Sequence, residues 1–229
     1  MTETVNGYFA DCKSIGGSYV SMYYGEKFNS ITHLVGAVFA LVGFGALLTV
    51  GIQQQNPLVI AAFTIFGLTL VILYTISTLY HSFHPPHLKK IFQKLDHISI
   101  YLLIAGTYTP YMLISLGDGN GPLMLVFVWA LALIGILLDL FIPNRIEILQ
   151  IPIYILMGWV CTLEYSNLML AIEQPGMIWL TAGGIAYTVG IVFYVLDDLN
   201  KLRHAHGIWH LFVLVGSVSH FISVIGYVR

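Results

Sequence analysis

The chain has 229 residues, 58% of them apolar and only 9% charged, and nine Lys and Arg against eleven Asp and Glu leave a net charge of −2. A soluble domain carries roughly 25% charged residues, so the composition excludes an ordinary water-soluble enzyme and marks an integral membrane protein. A near-neutral chain also has no basic surface for nucleic acid; its basic residues suit contact with anionic lipid headgroups.

The predicted elements are all helices. Residues 1–25 are mixed polar and aromatic, with no basic start ahead of an apolar core, so no cleavable signal peptide is expected there. They read as an N-terminal cytoplasmic tail ahead of one membrane domain, 26–229. From Phe28 to Leu88 there is no Asp, Glu, Lys or Arg, far longer than the roughly 20 residues of one crossing, so the chain must fold back near Gln53-Gln54-Gln55-Asn56-Pro57. Apolar runs between polar punctuation predict seven helices, at 30–52, 58–82, 96–116, 122–142, 147–172, 177–197 and 206–228. The connections, Gln53 to Pro57, His84 to Leu95, Gly117 to Gly121, Pro143 to Arg145, Glu173 to Gly176 and Asp198 to Arg203, leave no room for a further domain. The predicted fold is an all-α, seven-transmembrane-helix bundle.

Basic residues near helix ends stay on the cytoplasmic side. With the N-terminus cytoplasmic and the C-terminus outside, Lys13, Lys27, Lys89, Lys90, Lys94, Arg145, Lys201 and Arg203 all fall inside and only Arg229 outside. Adding or removing a helix would scatter them. The expected location is the plasma (inner) membrane. Cys12 and Cys161 form no disulfide framework.

Polar groups inside hydrocarbon are costly unless they are paired or line a cavity, so function is sought there. His81 closes the second predicted helix, Asp96 opens the third, and His206 and His210 begin the last; the topology brings all four to one face. His206 and His210 are spaced i, i+4, the spacing that lets two imidazoles reach one metal ion, and Ser77 stands in the same relation to His81. Three neutral imidazoles plus a water is a catalytic zinc arrangement, with Asp96 as the metal's indirect partner or general base. The competing reading is interfacial histidines bonded to headgroups or water.

Glu26, Asn29 and His33, at i, i+3 and i+7, share one face of the first helix and read either as a polar wall of the same cavity or as a cap with interfacial neighbours. His84 and His87 are expected in a loop, because Pro85-Pro86 ends the helix. Glu164 is a buried carboxyl or a partner for a Tyr or Asn167, and Asp139 is interfacial. His220 is a core histidine bonded to a neighbouring helix. Gly36, Gly43, Gly183, Gly184 and Gly190 read as close helix contacts, and Pro110 and Pro152 as kinks.

The segments Glu26-Lys-Phe-Asn29-Ser-Ile-Thr32-His33, Ser77-Thr-Leu-Tyr-His81, Lys94-Leu-Asp96-His97, Ala105-Gly-Thr-Tyr-Thr-Pro110-Tyr and His206-Gly-Ile-Trp-His210-Leu-Phe-Val-Leu-Val-Gly-Ser resemble those of the bacterial hemolysin III proteins. These are the prokaryotic branch of the progestin and adipoQ receptor family, which includes the adiponectin receptors. The resemblance runs from about Glu26 to Arg229. It implies a seven-helix bundle with zinc on His81, His206 and His210, Asp96 as a water-mediated partner of the metal, and Ser77 as the motif serine. The long N-terminal region and extracellular tail of the animal receptors are missing, so hormone binding does not carry over.

The first functional expectation is a zinc-dependent hydrolase of a lipid amide or ester with ceramidase-like chemistry, Asp96 acting as base and Ser77 steadying the oxyanion. Its substrate would enter sideways through an apolar slot leading from the bilayer. The alternatives are a pore-forming cytolysin, from the family's name, and a non-catalytic sensor of membrane lipid state in which zinc staples two helices. Membrane lipids are the expected partners; oligomeric state is not legible.

Overall fold

The structure, a computed structural model, describes residues 26–142, 147–199, 201–202 and 204–229. The expected tail and its Cys12 and Lys13, the connection at Pro143 to Arg145, and Arg203 lie outside the described residues. The helices are α1 (Lys27–Gln53), α2 (Pro57–Ser82), α3 (Pro86–Pro110) with a π turn (Tyr111–Ser115), and α4 (Gly121–Phe141). Then come α5 (Glu147–Trp159), a 3-10 turn (Val160–Glu164), α6 (Tyr165–Ala171), α7 (Gln174–Asp198) and α8 (Ala205–Tyr227). Among the described residues, seven stretches are long and apolar enough to cross a membrane, the fifth running through α5, the 3-10 turn and α6.

Proline starts several of these helices. Pro57 and Pro86 stand at the first helical position of α2 and α3, where a missing N–H costs nothing and the fixed φ suits the turn. The Asn56 side chain accepts from Leu58 N (2.9 Å), completing the reversal between α1 and α2. Pro86 also corrects the expected loop from His84 to Leu95. Hydropathy marks where a helix enters hydrocarbon, whereas this one begins ten residues earlier, as the polar segment His87-Leu-Lys-Lys-Ile-Phe-Gln-Lys94. His87 therefore lies in the first turn of α3.

The fifth crossing is not one continuous helix because a side chain enters its ladder. The Tyr108 hydroxyl donates to Gly158 O (3.0 Å) and accepts from Cys161 N–H (2.8 Å), pinning the entry of the 3-10 turn to α3.

The helix α2 packs between α1 and α3, α7 runs along α8, and α1 closes against α8; α5 and α6 touch α7 only sparsely. Phe63, Phe66, Tyr74 and Tyr101 fill the interior, while Phe39, Leu123, Phe141, Leu163 and Leu170 stand exposed on the outside. So large an apolar surface is tolerable only against lipid.

Close approach relies on glycine where a Cβ would collide: at Gly36 it would lie 2.5 Å from Tyr74, at Gly183 2.2 Å from His220, at Gly190 2.8 Å from Trp209. Gly184 departs from the expectation, for nothing lies within 4 Å of its added Cβ. At Gly106 the Cβ would meet Thr69 Oγ1 at 2.2 Å and Cβ at 2.9 Å, a β-branched neighbour with little room to rotate. Gly106→Ala is expected to destabilise the bundle by about 1–3 kcal/mol and Gly184→Ala to leave thermal unfolding in detergent unchanged. Equal melting temperatures for the two variants would contradict this packing.

Candidate metal centre

One end of the bundle gathers the start of α1, the end of α2, the end of α7 and the start of α8. The helical spacing places His206 and His210 one above the other on α8, and the end of α2 brings His81 to them. The metal-binding atoms these three residues offer all lie within 4.8 Å of one another. Ring centroids are 5.1 Å apart for His81 and His206, and 4.8 Å for each of the other two pairs.

Each ring is held from behind by oxygen. His81 Nδ1 lies 3.0 Å from Glu26 Oε2, His206 Nδ1 lies 3.1 Å from Asp197 Oδ2, and His210 Nδ1 lies 3.2 Å from the Asn29 carbonyl. Carboxylate and carbonyl oxygens only accept, so Nδ1 carries the proton in each ring and the Nε2 lone pairs are left for another partner. The Nε2 of His81 is buried and has none. Three imidazoles oriented by outer oxygens, each with Nε2 turned from its oxygen partner, would fit a divalent ion of the zinc type.

Glu26 is itself arranged for this task. Burial pushes its carboxyl up, but hydrogen bonds with His81 and Lys89 outweigh that and hold it below the usual carboxylate range, so it accepts at neutral pH. Lys89 Nζ donates to Glu26 Oε2 and, at 2.9 Å, to Tyr80 O.

Asp96 lies beside the Ser77 hydroxyl and within electrostatic reach of His206, outside the three-histidine group. His33 is buried and stacks on His210 with centroids 3.6 Å apart and planes at 16°; neither of its ring nitrogens has a hydrogen-bond partner. His84 and His87 are exposed and do not join the three-histidine group. Glu164 accepts from Asn120 Nδ2 (2.9 Å) and from Asn167 Nδ2, while Asp139 accepts from Gln150 Nε2 (2.9 Å). His220 Nε2 faces Leu180 O at 3.1 Å, the neighbouring helix the sequence called for. The sequence reading missed Asp197, Lys89 and Thr32, whose hydroxyl lies 3.4 Å from His210 Nδ1. For Asp197 a signal was available, an acid at a membrane-helix end just before the histidine pair.

Removing an outer oxygen should weaken the site without dismantling it. Glu26→Gln and Asp197→Asn are each expected to lower zinc affinity by about 10–100-fold, measured by chelator competition on folded protein. Unchanged affinity in both would show that these carboxylates do not orient ligands.

Residues 22–221 match the family described as haemolysin-III related. The chain is 40% identical to "Hemolysin-3" of Bacillus cereus over 89% of its length and 91% of that relative's. It is 38% identical to a "Hemolysin-3 homolog" of Bacillus subtilis, over 88% and 93%. Human "Monocyte to macrophage differentiation factor" is more distant, 29% identical over 91% and 86%. With its seven apolar helices, the chain is a multi-pass membrane protein of the haemolysin III family, at home in the bacterial plasma membrane.

Proposed function

We propose that the chain is a zinc-dependent hydrolase acting on the amide or ester bond of a membrane lipid. The observation that carries this reading is an apolar cavity of about 190 Å³ whose wall reaches Trp209, the residue before His210, although none of the three histidines lines it. Its wall includes Leu73 on α2, Ile100 on α3 and Val213 on α8. Those residues stand one helical turn from Ser77, Asp96 and Trp209-His210, on the same faces. An apolar chain lying in the cavity would present its polar end to the histidines.

The way in is from the side. Ile155, Trp159 and Tyr165 line the cavity yet are exposed on the bundle's outer surface, where α5 and α6 meet α7 sparsely. Gly158 and Gly184, both lining residues, have open space where a side chain would stand. Trp159 Nε1 donates to Thr188 Oγ1 (3.2 Å) across this seam.

Zinc held by His81, His206 and His210 would acidify a water and polarise a carbonyl. Asp96 takes the proton of the attacking water and returns it to the leaving nitrogen or oxygen, so amide and water yield acid and amine. The Ser77 hydroxyl, beside that carboxylate, holds it in orientation rather than reaching for the oxyanion. Glu26, Asp197 and the Asn29 carbonyl keep the three rings in register.

Hydrolysis of long-chain lipid amides and esters by purified, zinc-loaded protein tests the reading. Asp96→Asn is expected to retain zinc and lose about 10²–10⁴-fold in rate. Gly184→Leu, which fills the seam, should retain zinc and lose turnover of long-chain substrates. No hydrolysis above a chelated control would sink the enzyme and favour a sensor whose metal joins α2 to α8.

A further inference from the structure

We propose that His33 is a positioning residue of the metal centre, whose flat face clamps the His210 ring so that the His210 Nε2 lone pair stays aimed at the ion. The inference rests on a metal held by His81, His206 and His210 and is independent of the hydrolase reading.

The three rings are not held alike. His81 and His206 turn Nδ1 to carboxylates, Glu26 at 3.0 Å and Asp197 at 3.1 Å, whereas His210 turns it to the neutral Asn29 carbonyl at 3.2 Å. A hydrogen bond to an ionised acceptor is roughly twice as strong as one to a neutral acceptor, so His210 has the weakest of the three anchors. That bond also restrains only one edge of the ring. The torsion that turns an imidazole about its Cβ–Cγ bond has no sharp minimum of its own.

A second restraint lies on the ring's face. His33 stacks on His210 with centroids 3.6 Å apart and planes at 16°. The tyrosines beside the other two rings are tilted and more distant, Tyr80 at 4.5 Å and 57° from His81 and Tyr194 at 6.1 Å and 46° from His206. His210 is already in van der Waals contact with His33, so a tilt toward it would drive one edge of the ring into its neighbour.

His33 is itself confined. It is 3% exposed, and Tyr74 meets it edge-on at 5.1 Å with planes at 83°. Tyr74 is tied to α8 through Ser217 Oγ at 2.7 Å and closes on α1 at Gly36, where an added Cβ would lie 2.5 Å from its ring. His33 stands one turn beyond Asn29, so α1 holds His210 both by its edge and by its face. Neither nitrogen of His33 has a hydrogen-bond partner. A ring parallel to His210 also cannot turn a nitrogen in its own plane toward an ion lying in the plane of His210. The clamp therefore works through the flat surface of His33, and its polar atoms are dispensable for it.

The test is metal binding by the full chain purified in detergent, as wild type, His33→Phe, His33→Leu and His33→Gln, with folding checked by circular dichroism. Zinc affinity is read by chelator competition, and the visible spectrum of bound cobalt(II) reports ligand geometry. Phenylalanine keeps a flat ring without nitrogens; leucine and glutamine remove the ring, and glutamine keeps polar atoms. His33→Phe is expected to bind zinc within about twofold of wild type, with the cobalt spectrum unchanged. His33→Leu and His33→Gln should each bind zinc about tenfold more weakly, with the cobalt bands altered. A role in folding alone would lower the melting temperature without moving either readout in folded protein, and that result would overturn the clamp. So would a folded His33→Phe that loses affinity with the other two. Should His33→Phe not fold, weakened binding in both other variants carries the proposal, and wild-type binding in either overturns it. A wild type that binds neither ion would overturn the metal centre and the clamp together.

Discussion

Three imidazoles converging on one point can bind a metal only if each turns an unprotonated nitrogen inward, and that requirement organises this end of the bundle. Every ring needs an acceptor for its outward N–H, and the acceptors are the Glu26 carboxylate, the Asp197 carboxylate and the Asn29 carbonyl. Since the N-cap and first turn of α1 supply two of the three, α1 belongs to the candidate site although none of the three histidines stands on it. Glu26, the Asn29 backbone and His33 each meet a histidine of α2 or α8.

The geometry depends on how closely α1 meets α8. A side chain at Gly207, between the two α8 histidines, would lie 2.2 Å from the Phe28 ring and 3.0 Å from Asn29 Oδ1. That gap brings the Asn29 backbone to His210 and lets the His33 ring stack on it. Tyr74 holds the other side: it meets His33 edge-on at 5.1 Å, and its hydroxyl donates to Ser217 Oγ at 2.7 Å. The ligand set is thus tied to an interior polar network and does not stand alone at the surface.

Much of this was legible in the sequence because membrane solvent simplifies the reading. Seven apolar runs became seven crossings, and the i, i+4 spacings at Ser77 and His81 and at His206 and His210 placed the site at one end. What failed has physical reasons. Hydropathy cannot find the start of α3, whose first turns are polar, and Pro86 fits a helix start as well as a helix stop. The 3-10 break at Val160–Glu164 depends on a hydroxyl from another helix, a contact with no local signature. Gly184 looks like Gly183 in sequence, yet one accommodates His220 and the other leaves a gap. Asp197 was passed over as a helix end because its partner lies nine residues ahead across a turn, where His204 adopts a left-handed conformation (φ 63°).

The most direct measurement is the metal content of purified, chelator-free protein by elemental analysis, wild type beside His81→Ala and His210→Ala, with folding checked by circular dichroism. One zinc per chain in wild type and loss of zinc in both folded variants are expected from three histidines on three sides of one ion. Folded wild type without metal, or either variant retaining a full equivalent, would contradict the shared site.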